Sequence, residues 1–221
     1  MKRWLTLRRL GGIAVLLLAI AGIWTLRPLW YNDPAGEVAR LVPLLALEPG
    51  ATAAEVGAGE GQMAVVLAAR LGAKGHLYAT EIDPARRRTI QDAVAKAGLH
   101  NVTVLEAGER QTHLQAACCD AVYMRRVYHH FTSPAALDAS LFEALRPGGR
   151  LAIIDFVPIG WLFWLRRPEG VPEDRGGHGI PPAVVLREVA TAGFVLDRRI
   201  DDWNSREYCL LFRKPSGKPM P

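Results

Sequence analysis

Two patterns divide the chain: an uncharged run of 17 residues from Leu10 to Leu26, and, from residue 33 onward, short β-rich apolar runs alternating with helical periods. The apolar runs predict strands at Thr52–Val56, His76–Glu81, Val102–Glu106, Ala121–Met124, Leu151–Phe156, Val195–Ile200 and Tyr208–Phe212. Helix starts are marked where a capping residue or a proline precedes a helical period, because proline's fixed φ suits the first helical position. Asp33-Pro34 opens a helix to near Leu47, Asp83-Pro84 one to about Ala97, Ser133-Pro134 one to about Leu145, and Pro181-Pro182 one ending before Gly193. Alternating strands and helices predict an α/β fold on a mainly parallel sheet. Only Asp201–Glu207 separates the last two strands, too little for a crossover helix, so they are expected to pair antiparallel. Three parts follow: residues 1–31 as a membrane anchor or signal segment, 32–215 as the folded domain, and 216–221 as a tail.

As a helix the run 10–26 spans about 25 Å, the short limit for crossing a bilayer. Arg27, Trp30 and Tyr31 follow it, residues that a membrane interface favours. The run is therefore read as a single-pass N-terminal anchor in a bacterial inner membrane. A cleaved signal peptide, with Ala19-Ile20-Ala21 as the small-x-small site, and a buried or peripheral helix stay open as alternatives.

The anchor changes what the charge means. Of 27 Lys+Arg against 22 Asp+Glu, Lys2, Arg3, Arg8, Arg9 and Arg27 precede the first acid, Asp33, which leaves 22 bases against 22 acids in the rest. A formally neutral body has no electrostatic footprint for DNA or RNA. Four bases before the run and one after it would place that body outside the cytoplasm. Cys118, Cys119 and Cys209 show no disulfide framework, and His113, Cys118, Cys119, His129 and His130 match no zinc spacing, so no metal is expected.

Candidate chemistry begins where the first strand turns into a helix, at Ala54-Glu55-Val56-Gly57-Ala58-Gly59-Glu60-Gly61-Gln62. Glycines there let a ligand approach main-chain N–H groups at a helix N-terminus. The spacing G-x-G-x-G does not meet the dinucleotide fingerprint G-x-G-x-x-G, which argues against a nucleotide-cofactor oxidoreductase. About 20 residues on, Tyr78-Ala79-Thr80-Glu81-Ile82-Asp83-Pro84 puts an acid at the end of the second strand, where a carboxylate can accept both hydroxyls of a ribose.

With Cys119-Asp120-Ala121-Val122-Tyr123-Met124 and Leu145-Arg146-Pro147-Gly148-Gly149-Arg150-Leu151 in the same order, the chain over about residues 35–213 resembles the class I S-adenosylmethionine-dependent methyltransferases, and more closely a bacterial subgroup with a Tyr-His-His-Phe-like segment. The resemblance implies a Rossmann-like, seven-stranded sheet ordered 3-2-1-4-5-7-6 and S-adenosylmethionine as cofactor. It implies that Glu55, Gly57, Ala58, Gly59 and Gly61 cradle the methionine part, Glu81 binds the ribose and Ile82 flanks the adenine. Glu109, in Glu106-Ala107-Gly108-Glu109, is the candidate for the adenine amine, although the family's Gly-Asp order is altered here.

The acceptor is expected at Arg125-Arg126-Val127-Tyr128-His129-His130-Phe131, after the fourth strand. An alcohol or amine acceptor must lose a proton, and His129 or His130 can take it near neutral pH; Tyr128 is expected to orient the acceptor or the methionine group. The connection 157–180 carries Trp161-Leu162-Phe163-Trp164-Leu165 and His178, which either cover a small or lipid-like acceptor, dip into a membrane, or pack. A tethered cofactor-binding module without catalysis is the alternative from another class.

Overall fold

A computed structural model describes residues 33–158, 179–204 and 206–217. Helix α1 (Pro34–Leu44) is followed by β1 (Thr52–Val56), α2 (Gln62–Leu71), β2 (His76–Glu81), α3 (Pro84–Lys96) and β3 (Val102–Glu106). The second half runs β4 (Cys119–Arg125), a single 3₁₀ turn (Tyr128–His130), α4 (Pro134–Ala144), β5 (Leu145–Phe156), α5 (Pro182–Thr191), β6 (Val195–Ile200) and β7 (Glu207–Arg213). One sheet orders these strands β3-β2-β1-β4-β5-β7-β6. β7 is antiparallel to both of its neighbours and the other pairs are parallel, as the short final connection requires.

Both faces of the central strands are covered, which is why most of their residues are buried. Along β4, Ala121 and Tyr123 join one core with Leu41 of α1, Leu67 of α2 and Ile90 of α3. Val122 and Met124 join the other, with Leu141 of α4 and Val185 of α5. α3 begins where the sequence says it should: Pro84 fills the first turn and the Asp83 carboxylate accepts the Ala85 N–H at 2.7 Å.

Four elements differ from expectation in their bounds. α1 stops at Leu44 rather than near Leu47 because Ala46 takes a left-handed conformation, φ 50°, and closes the helix: its N–H donates to Pro43 O at 3.2 Å, and that of Leu47 to Val42 O at 3.0 Å. β4 and β7 each extend by a residue or two past the apolar runs. β5 starts at Leu145 instead of Leu151, since Arg146-Pro147-Gly148-Gly149 is drawn into the sheet: Gly148 N–H donates to Lys214 O and Lys214 N–H to Gly149 O, each at 2.9 Å.

Among the described residues no helix is long and apolar enough to cross a membrane. The run 10–26, the stretch Trp161–Leu165 and His178 lie outside the described residues.

Candidate functional site

Strand order reverses between β1 and β4, and at the C-terminal edge there a cleft of about 480 Å³ opens. This is where an open α/β sheet places a ligand, and the volume is within the range of small-molecule sites. Gly57, Gly59, Glu81, Ile82, Glu109 and His130 line it.

The glycine turn forms the floor. Gly57, Gly59 and Gly61 hold φ of 73°, 58° and 80°. A Cβ on Gly57 would lie 2.5 Å from Val127 Cγ2, so β4's extension can approach only a glycine. A Cβ on Gly59 would meet no atom within 4 Å, because beyond it is the open cleft. Gly61 lies away from the cleft: a Cβ there would sit 3.1 Å from Ile90, and the residue caps α2 against α3.

Glu81 is buried at the end of β2, and each of its oxygens accepts a backbone N–H: Oε2 that of Gly59 at 2.8 Å, Oε1 that of Asp83 at 3.1 Å. One carboxylate thus ties the glycine turn to the start of α3 and keeps further lone pairs for a ligand. Beside it Ile82 is 56% exposed, an apolar surface at the cleft. Glu109 comes from the helix-free connection between β3 and β4, anchored by Ala107 N–H donating to Glu81 O at 3.2 Å.

Several of the expected site residues lie away from the cleft. Ala58 is buried outside the cleft, its N–H spent on Thr80 O at 2.9 Å. Glu55 does not line the cleft either: strand alternation sends it to the α1 face, opposite Tyr123 in the register. Burial pushes its carboxyl up to about 8, against the opposing pull of Tyr123 and of Arg125. Glu55 Oε2, the Tyr123 hydroxyl and Arg125 Nη2 are buried together there.

Tyr128 is fully buried under α4 and α5, where its hydroxyl donates toward Asp138 Oδ2 at 2.7 Å and Glu188 Oε2 at 3.0 Å. Burial, then the two carboxylates, push its pKa up, so it neither faces the cleft nor ionises. The histidine pair splits. His129 is buried, its Nδ1 2.9 Å from Asp155 Oδ1 and its backbone N–H donating to Oδ2 at 3.1 Å. His130 is exposed in the cleft with its ring against that of His129, centroids 3.9 Å apart. Asp155 therefore fixes His129, and His129 backs His130.

Two cleft residues without an assigned role in the sequence are Arg125 and Arg126. Arg125 pairs with Glu37 of α1 at 2.8 Å, and Glu37 also accepts the Trp203 indole N–H at 2.9 Å. Arg126 pairs with Glu207 of β7 and sits at φ 58°, a left-handed conformation costly for a side-chain-bearing residue. Their partners lie 88 and 81 residues away, beyond any local signal.

Residues 54–153 match the family model described as a methyltransferase domain. Protein-L-isoaspartate O-methyltransferases are similar: that of Methanothermobacter thermautotrophicus is 29% identical over 123 residues, 56% of this chain and 52% of the relative. That of Methanothrix thermoacetophila is 30% identical over 147 residues, 61% of this chain and 65% of the relative. The chain thus spans between about half and two thirds of the length of these two curated relatives. An S-adenosylmethionine-dependent methyltransferase from Aquifex aeolicus shares the fold with TM-score 0.65 and 22% identity, over 83% of this chain and 99% of that one. The [4+2]-cyclase SpnF shares it at TM-score 0.67 and 16% identity, over 85% of this chain and 87% of that one.

Proposed function

We propose that this chain, which belongs to the class I S-adenosylmethionine-dependent methyltransferase family, transfers the cofactor's methyl group to a small-molecule or lipid-like acceptor. The observation that carries the reading is the clamp of Glu81 on Gly59 beneath an open cleft. The residues fit the cofactor: a carboxylate at the ribose position, an exposed apolar side chain at Ile82 beside it, and room above Gly59 that any side chain would fill. When bound, S-adenosylmethionine supplies an electrophilic methyl group on a sulfonium. The chain's own residues hold the reactants in line and exclude water, which is most of what such a displacement needs.

His130 is the cleft residue suited to take a proton from an alcohol or amine acceptor. Asp155 and His129 act as positioning residues beneath it, by fixing the ring on which it rests. A carboxylate acceptor, the type named by the curated relatives, is nucleophilic already and needs no base. We infer a membrane tether through residues 10–26 from the uncharged run and its flanks. The lipid-like acceptor follows from that tether.

The test is transfer of a labelled methyl group from S-adenosylmethionine to whole-cell extract, fractionated into lipid, protein and small molecules. Label in the lipid or small-molecule fraction is the expected result. Label confined to protein would replace this acceptor class with the one the relatives are named for. Cofactor binding with no label in any fraction would favour a non-catalytic module.

A further inference from the structure

On the α1 face of the sheet, away from the cofactor cleft, a second cavity of about 450 Å³ lies between the C-terminal half of α1 and the edge formed by β7 and β6. Arg40, Arg150 and Arg198 line it against one carboxylate, Asp197. With acids and bases balanced over residues 33–221, this is a local concentration of positive charge.

Among the described residues none of the three arginines forms an ion pair. Two are oriented by the backbone instead. Arg40 Nη1 donates to Trp203 O at 2.5 Å, with its guanidinium 4.0 Å from the Trp203 ring centroid. Arg150 Nη1 donates to Leu44 O at 2.6 Å. Each bond uses one of five N–H groups, so most of each fork is left for a ligand. The Arg198 side chain makes no hydrogen bond among the described residues.

Guanidinium forks match the oxygens of a phosphate, and several around one cavity select an anion over a neutral molecule. The remaining wall is apolar, from Pro43, Leu44 and Ile200, over the buried Trp203 and Leu211. Val195 and Leu196, 51% and 43% exposed on the edge strand β6, extend apolar surface along that edge. A bare inorganic anion has no use for such a wall, whereas a lipid places phosphate and hydrocarbon side by side.

We propose that this cavity binds the headgroup phosphate and adjoining hydrocarbon of an anionic phospholipid. The site is separate from the cofactor cleft, and its described lining residues lie between Arg40 and Leu211.

Calorimetric titration of the full-length protein in neutral detergent tests it, with dihexanoyl phosphatidylglycerol, dihexanoyl phosphatidylcholine and inorganic phosphate as probes. Phosphatidylglycerol is expected to bind, and the other two to bind at least about tenfold more weakly. Arg198→Gln, which breaks no hydrogen bond, and Arg150→Gln are each expected to weaken phosphatidylglycerol about tenfold. S-adenosylmethionine affinity should stay unchanged in both, which separates a lost site from a lost fold. Inorganic phosphate binding as tightly as phosphatidylglycerol, equal binding of the two lipids, or wild-type lipid affinity in both variants would overturn the proposal. A wild-type protein that binds phosphatidylglycerol but not S-adenosylmethionine would leave this site standing and remove the cofactor reading instead.

Discussion

Glu81 accepts two backbone N–H groups from segments 24 residues apart, Gly59 and Asp83, so its removal unties the glycine turn as well as the ribose contact. Glu81→Ala is expected to weaken S-adenosylmethionine at least about tenfold by calorimetry, since bonds to a charged acceptor contribute about 1.5–3 kcal/mol each. Gly59→Val should do the same by filling the cleft at a left-handed position; unchanged affinity in both would remove the cofactor assignment. His130→Ala is expected to lower turnover on an alcohol or amine acceptor while leaving cofactor affinity intact. His129→Ala should lower turnover too, by removing the ring on which His130 rests, and should also lower stability by about 1–3 kcal/mol, because it strips the buried Asp155 of its ring partner. Glu55 brings a pH dependence. With its folded pKa raised to about 8 from an ordinary 4.5, the carboxyl stays protonated in the fold while the unfolded chain ionises. Stability is therefore full below about pH 4.5 and falls until about pH 8, a loss of about 3 kcal/mol by pH 7. Glu55→Gln should flatten that slope in thermal melts between pH 5 and 8 and raise Tm at pH 7; an unchanged slope would show that Glu55 is ionised in the fold.

α1 ends on Ala46, an alanine in the conformation where helices usually place glycine. Ala46→Gly relieves about 1–2 kcal/mol of local strain, against up to about 1 kcal/mol of added chain entropy in the unfolded state, and a net rise in Tm is expected from calorimetry. That ending also shows how far the elements were legible. Starts marked by Asp83-Pro84 or Ser133-Pro134 announce themselves, since capping and proline geometry act locally. The stop at Ala46 carries no such residue, and the sequence reads three residues too long. The early start of β5 likewise depends on Lys214, on the far side of the chain. The same division runs through the site. Gly57, Gly59, Glu81 and Ile82 could be read because a strand-to-helix turn and an acid at the next strand end form a local pattern. Glu55 and Tyr128 could not, since whether they face cleft or core depends on which side of the sheet α1, α4 and α5 pack. His129 and His130 are adjacent in sequence and opposite in role for a reason equally remote, the carboxylate of Asp155.

At the scale of the whole molecule, charge and cofactor pull in opposite directions. With residues 10–26 as the proposed span, four bases before it and one after it favour export of the domain, a bias that acts through the flanking residues. The cleft, however, is shaped for S-adenosylmethionine, which is made in the cytosol, and the formally neutral domain contributes no charge of its own to either orientation. If the cofactor decides, a fluorescent reporter fused after Pro221 should mature and an alkaline phosphatase fused at the same point should stay inactive. The phosphatidylglycerol cavity adds a constraint that does not depend on the anchor: Arg150→Gln and Arg198→Gln should reduce recovery of the domain on anionic vesicles after proteolytic removal of residues 1–31, and leave neutral vesicles unaffected. An active phosphatase would mean that the domain lies outside, and methyl transfer would then require cofactor delivered across the membrane. In that case cofactor-depleted spheroplasts should regain labelled product only when S-adenosylmethionine is added externally, whereas a cytoplasmic domain gives product from the internal pool alone.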